Sequence, residues 1–358
     1  MRIKKALFLG TLCTAVSGMS LFAQAGVSYA KSAEKTTEAA SSEEAESEEE
    51  TSEEVTYPIT IEHAFGETVI ESKPERIATI GWENQDTPLA LGVAPVGVSA
   101  ANYGMVTDNN LHPWTDEAFA DLGVEKPVVF DDVDGLDFEQ ISDCNPDVIL
   151  AAYSGMTQED YDTLSQIAPV IPYKEKAWQT SWREQTIENA EGMGMKPEGE
   201  KKVKEVEDLI AEKLEEYPQL EGIPTAFCWI SADDFSTFYV YLPTDPRAAY
   251  LLDLGFTLPE SVQKLAGETD DFNITVSREN ADQLDDIQLM VVYGDEDLLK
   301  SLQEDKLMSQ IPAIKNGAVA LVDSTSALAG ASTPSILSIP YEIDEYLQLL
   351  SDAAENIK

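Results

Sequence analysis

Two stretches of this chain, "DVILAAY" (147–153) and "IQLMVVY" (287–293), are apolar at nearly every position. A strand that is apolar on both faces has no side left for water. It must lie inside a sheet covered by helices above and below, which is the parallel sheet of α/β proteins. The same grammar precedes each stretch. Glu139 stands fourteen positions before Tyr153, and Glu279 stands fourteen before Tyr293. A short helical pattern lies between, marked by Phe138, Ile141 and Cys144 in one copy and by Ala281 and Leu284 in the other. Further upstream, "RIATIGWENQDTPLALGVAPVGVSA" reads as strand, loop, helix, Leu-Gly turn and strand. "TAFCWISADDFSTFYVYLPTDPRAAYLLDLGF" also opens with a strand and closes with a helix ending in Leu-Gly, with the alternating "STFYVYL" inserted as an extra strand. The chain therefore reads as two related α/β lobes.

Between them lies "KPEGEKKVKEVEDLIAEKLEEYPQLEG". Val203, Val206, Ile210 and Leu214 recur at helical spacing, with Pro197 near the first turn and Pro218 at the close. A helix of about twenty residues is roughly 30 Å long, a strut and not a floppy linker. The expected boundaries are a signal peptide at 1–30, an acidic linker at 31–56, an N-terminal lobe at 57–196, an interlobe helix at 197–220 and a C-terminal lobe at 221–358.

The signal peptide is read from three basic residues, an apolar run from Ala6 to about Ala23, and small-x-small sites of which the second ends at Ala30. An uncleaved anchor is the alternative, since the run is near the lower limit for a membrane span. Cys13 is not expected to carry a lipid, because Leu12 stands where a lipoprotein cysteine needs a small residue. Residues 34–54 carry ten acids, one lysine and no Leu, Ile, Val or aromatic residue, so they cannot bury enough surface to fold. From Tyr57 onward 57 acids face 18 basic residues, a net charge of −39 that repels nucleic acid and anionic membrane. Cys144 and Cys228 lie far apart in apolar surroundings and are expected as buried free thiols.

In an open α/β sheet, ligands bind beyond the carboxyl ends of the strands. Trp82, Tyr153, Trp229 and Tyr293 fall at or near such ends, and two facing lobes would bring these loops to one cleft. Tyr103, Trp178, Trp182, Tyr239 and Tyr241 join them as candidate walls for a bulky, partly apolar ligand. Core packing is the competing reading for each ring. Arg183, in "WQTSWREQ", and Arg247, in "YLPTDPRAAYLL", are the candidate donors to ligand oxygens, with a surface charge as the alternative. Arg76 is read as structural.

Enzyme chemistry finds little support. His63 and His112 are the only histidines, and there is no GxSxG, HExxH, Walker loop or GxGxxG. Two histidines and no Cys/His cluster are too few for a protein metal site. The acid runs "DDVD" (131–134) and "DDF" (270–272) are read as solvated.

Taken in order, "PERIATIGWENQDTPLALGVAPVGVSA", "DGLDFEQISDCNPDVILAAYSG" and "VSRENADQLDDIQLMVVYG" resemble the ferric-siderophore and cobalamin substrate-binding proteins of bacterial ABC importers, the class III periplasmic-binding-protein family. "LHPWTDEAFADLGVEKPVVFDDVDGLDFEQI" is similar to its iron-siderophore subgroup. The resemblance runs from about Tyr57 to the C-terminus. It implies two Rossmann-like lobes joined by a single long helix, a ligand cleft between them, small closure on binding, and no cofactor other than the ferric siderophore as ligand. It also implies one exposed glutamate per lobe, matched here by Glu139 and Glu279, docking on arginines of a membrane permease. A charge favouring a helix N-terminus is the plainer account of both. The expected protein is an extracytoplasmic monomer, with no enzyme activity and no nucleic-acid partner. Few basic residues and a net −39 disfavour a trianionic catecholate complex and favour a neutral or cationic ferric hydroxamate. Cobalamin and haem remain open, haem because a tyrosine could serve as axial ligand. A siderophore esterase using Ser154 is the distant alternative from another class.

Overall fold

The computed structural model describes residues 55–132 and 135–358. The expected signal peptide, Cys13 and nearly all of the acidic linker lie outside them. The chain enters through a hairpin, β1 (Ile59–His63) and β2 (Gly66–Ile70). The N-terminal half then lays down β3 (Ile77–Thr79), β4 (Val98–Ser99), β5 (Val129–Phe130), β6 (Val148–Ala151) and β7 (Val170–Pro172). All of these pair in parallel, as β3-β6-β7 and β4-β5. A parallel bridge between Ala78 and Gly97 joins the two groups, with Val96 N–H donating to Ile77 O at 2.7 Å. The resulting order, β5-β4-β3-β6-β7, reverses direction at β3 and β6, and this is where an open α/β sheet leaves a crevice for ligand.

The C-terminal half carries β8 (Thr225–Trp229), β9 (Thr237–Tyr241), β10 (Asn273–Ser277), β11 (Leu289–Tyr293) and β12 (Val319–Val322) in the order β10-β9-β8-β11-β12. β8, β11 and β12 are mutually parallel. β9 is the inserted strand expected from "STFYVYL". It runs antiparallel to β8 and brings β10 antiparallel to itself. The two apolar runs that opened the reading are β6 and β11; every residue of β6 is buried, as is every residue of β11 but its last. Fully burying a Val, Leu or Ile side chain contributes roughly 1.5–3 kcal/mol, so these strands anchor both halves.

Among the described residues, no sheet mixes strands from the two halves. Between them in the chain runs the helix Lys196–Leu214, which buries Val203, Val206 and Ile210 in a core shared with Leu251, Ile343 and Leu347. It ends earlier than the expected 220. Tyr217, which precedes Pro218, is forced out of helical geometry (φ −124°, ψ 47°), and a single 3-10 turn, Pro218–Leu220, follows. Cys144 and Cys228 are buried free thiols, and burial pushes both above the ordinary thiol range. Among the described residues, no helix is long and apolar enough to cross a membrane.

Candidate functional site: an aromatic cavity between the halves

Strand ends from both halves converge on a cavity of about 360 Å³. The N-terminal half contributes Trp82, Tyr103, Tyr153 and Trp178; the C-terminal half contributes Trp229, Tyr241, Arg247 and Tyr293.

The N-terminal wall is fixed by a buried amide. The Asn84 side chain is fully buried; its Nδ2 donates to Ile80 O (2.7 Å) and Tyr153 O (2.9 Å), and its Oδ1 accepts from Tyr153 N–H (3.1 Å). Trp82 N–H donates to the same Tyr153 carbonyl at 3.1 Å. From the helix Trp182–Gly192, Gln185 donates to Trp82 O (2.8 Å) and Asn189 donates to Asn84 Oδ1 (3.0 Å). The loops after β3 and β6 are thereby locked together. Burial pushes the Tyr153 hydroxyl far above the ordinary phenol range, so the group stays neutral.

Trp178 is set differently. Its backbone sits in the left-handed region (φ +61°), which costs a residue with a Cβ about 1–3 kcal/mol. Its N–H donates to Ser154 O at 3.2 Å, and its ring meets Tyr153 edge-on at 5.3 Å. Gly155 permits this approach, because a Cβ there would lie 2.6 Å from the indole. The ring is 38% exposed, and therefore available to a ligand.

The C-terminal wall is built on charge and ring contacts. Asp245, fully buried, caps the helix Pro246–Asp253 and accepts from Arg247 Nε (2.8 Å) and Nη2 (2.7 Å). The guanidinium lies over the Tyr241 ring at 3.9 Å. Burial works against the charge of Arg247, but the carboxylate beside it outweighs that and holds its pKa well above the usual value. The cation is thus permanent, pre-oriented and turned into the cavity. Tyr293 packs edge-on to Tyr103 at 5.2 Å, a ring contact that spans the two halves, and against Phe227 at the same distance.

Three candidates lie elsewhere. Tyr239 is not in the cavity wall; it stacks behind Trp229 at 5.4 Å and 28°. Trp182 is buried in the core, its indole N–H on Asp253 at 3.0 Å. Arg183 spends its guanidinium on Glu207 and Asp253, both at 2.7 Å, and lies over Trp182. The capping box of Ser181 and Glu184 starts the helix at Trp182 and turns both residues away from the cleft. Of the two arginine candidates, only Arg247 lines the cavity. Phe272 and Thr333 also line it and carried no sequence signal. Asp132, read as solvated, is half-buried and accepts from the Ser99 hydroxyl.

Among the described residues, the candidate nucleophile Ser154 and the two histidines are each committed elsewhere. Ser154 is buried, and its hydroxyl donates to Ala151 O at 2.9 Å. His63 is bonded to Thr68 in the hairpin, and His112 stacks on Trp114. Among the described residues, no group of three His, Cys, Asp or Glu side chains could hold a metal ion.

Two α/β halves closing on a ring-lined cavity with one fixed cation define a binding protein. A family model described as "Periplasmic binding protein" matches residues 77–325, and this chain belongs to that family. The structure of PiaA from Streptococcus pneumoniae TIGR4 in complex with ferrichrome is 48% identical, covers 84% of this chain and 100% of its own, and superposes with a TM-score of 0.81. The petrobactin-binding protein YclQ of Bacillus subtilis is 24% identical over 81% of this chain and 88% of its own. The probable siderophore-binding lipoprotein YfiY of the same organism is 25% identical over 65% and 67% respectively.

Proposed function

We propose that this protein is the extracytoplasmic substrate-binding component of an ABC importer, that it captures a ferric siderophore of the hydroxamate type, and that it hands the complex to a membrane permease. The observation that carries this reading is the cavity itself. One fixed guanidinium among eight aromatic rings suits a neutral chelate with exposed oxygens and an apolar shell. The likeness to a protein solved with ferrichrome supports the same chemistry. A trianionic chelate would meet a single cavity arginine in a protein whose net charge from Tyr57 onward is −39. Iron enters inside the ligand, held by siderophore oxygens.

Tyr103, Tyr153, Trp178, Trp229, Tyr241 and Tyr293 would enclose the chelate with Trp82, and Arg247 would donate to its oxygens. Tryptophan fluorescence titration tests this. Ferrichrome should quench saturably, without turnover, and more tightly than a ferric tricatecholate, cobalamin, haem or the iron-free siderophore. Tighter binding of any of these would overturn the hydroxamate assignment.

Glu139 and Glu279 occupy the first turns of the helix Phe138–Asp143 and the 3-10 helix Arg278–Gln283. Both are exposed, and neither takes part in an ion pair among the described residues. They would meet permease arginines. Reversing both charges should abolish transport and leave ligand affinity unchanged; lost affinity would assign them to the fold instead. The protein would act as a monomer held outside the cytoplasm.

A further inference from the structure

Next to the aromatic cavity lies a second chamber of about 300 Å³ that shares Trp82 and Trp178 as walls. It sits where the N-terminal sheet order reverses, with Gly81 beyond β3, Ser99 at the end of β4 and Ser154 beyond β6. Its chemistry differs from that of its neighbour. The first cavity holds Arg247 and no carboxylate; the second is lined by Asp132 and Asp160 and by no lysine, arginine or histidine. Among the described residues, neither carboxylate is in an ion pair.

We propose that this chamber seats an ammonium-bearing arm of the bound siderophore, between the indoles of Trp82 and Trp178 and against the Asp132 carboxylate. This rests on the ferric-hydroxamate reading of the adjoining cavity, and it names the substrate class more narrowly. An ammonium gains from the face of an indole and from a partly desolvated carboxylate together, whereas a neutral arm gains little and an anionic arm is repelled. Burial pushes the Asp132 carboxyl above its ordinary range, with the Ser99 hydroxyl acting in the opposite direction. A cation beside it would compensate that burial. The net charge of the folded part also draws cationic ligands toward the protein.

The test uses the chain as it exists and two probes with one chelate: a linear ferric trihydroxamate ending in a primary ammonium, and the same complex N-acetylated. By fluorescence titration the ammonium form should bind about ten- to a hundredfold more tightly. Asp132→Asn should shrink that ratio to about threefold or less while leaving the acetylated form's affinity unchanged. Equal affinities in the unmodified chain, or an unchanged ratio in the variant, would overturn the chamber assignment and leave the cavity reading standing. Failure of both probes to bind would overturn the two together. If Asp132→Asn does not fold, the ratio in the unmodified chain and in Asp160→Asn decides.

Discussion

The two halves carry a tyrosine at the same interval from a glutamate, yet they hold it in different ways. Tyr153 lies beyond its strand, buried, with its backbone gripped on both polar atoms by Asn84. Tyr293 ends its strand, half-buried, wedged between Tyr103 and Phe227 and facing Arg247. The preceding helical turn is an α-helix in one half and a 3-10 helix in the other. One wall is thus fixed by neutral amides backed by buried titratable groups, and the other by an ion pair and ring edges. The same ring position can be reached by either route, but the two routes fail under different insults.

The largest effect is expected where the C-terminal wall keeps its charge. Arg247→Ala leaves Asp245 buried and unpaired, which should cost about 3–5 kcal/mol of stability and ligand affinity with it. Denaturant unfolding measures the first and titration the second. Replacing both residues with alanine should restore part of the stability and none of the affinity; a double variant no more stable than the single would show that the pair is not the foundation of this wall.

The N-terminal wall should respond to pH instead. Behind Trp82 lie His112, at 5.4 Å between rings, and the buried acids Glu83 and Asp86. Burial lowers His112 to about 4, so the unfolded chain binds its proton first, and this term removes stability as pH falls from 6.5 toward 4. Burial raises Asp86 to about 6, so the folded chain binds that proton first, and this term adds stability as pH falls from 6 toward 3.8. Glu83, raised by burial and then by Asp86, acts with it. In the unmodified protein the terms oppose each other. His112→Asn deletes the first, so relative to the parent the variant should gain about 2–3 kcal/mol between pH 6.5 and 4 in urea unfolding. A difference that stays flat with pH would remove His112 from the account.

The smallest effect sharpens the boundary of the site. Arg183 forms partly exposed pairs outside the cavity, so Arg183→Ala should cost about 0–1 kcal/mol and leave affinity unchanged. A loss of affinity would return this arginine to the ligand.

Much of this was legible because it is written locally. The doubly apolar strands specified parallel sheets, and the fourteen-residue interval placed Tyr153 and Tyr293 at strand ends. The alternation in "STFYVYL" marked β9. The misplacement of Trp182 and Arg183 came from reading aromatic company as a pocket, although the S-x-x-E of Ser181 and Glu184 already announced a helix start. What could not be read is written across distance. Asn84 meets Gln185 and Asn189 across separations of 101 and 105 positions. Phe272 and Thr333 reach the cavity from loops with no periodicity, and their neighbours give no hint of it.

Asn84 makes Trp82 and Tyr153 mechanically one part. A guest pressing on the indole must also move the phenol, because a single amide bolts both loops to the same point. Affinity losses from altering these two rings should therefore overlap when combined, not add, and the wall presents an incoming chelate with a stiff anvil against which the opposite side can adjust.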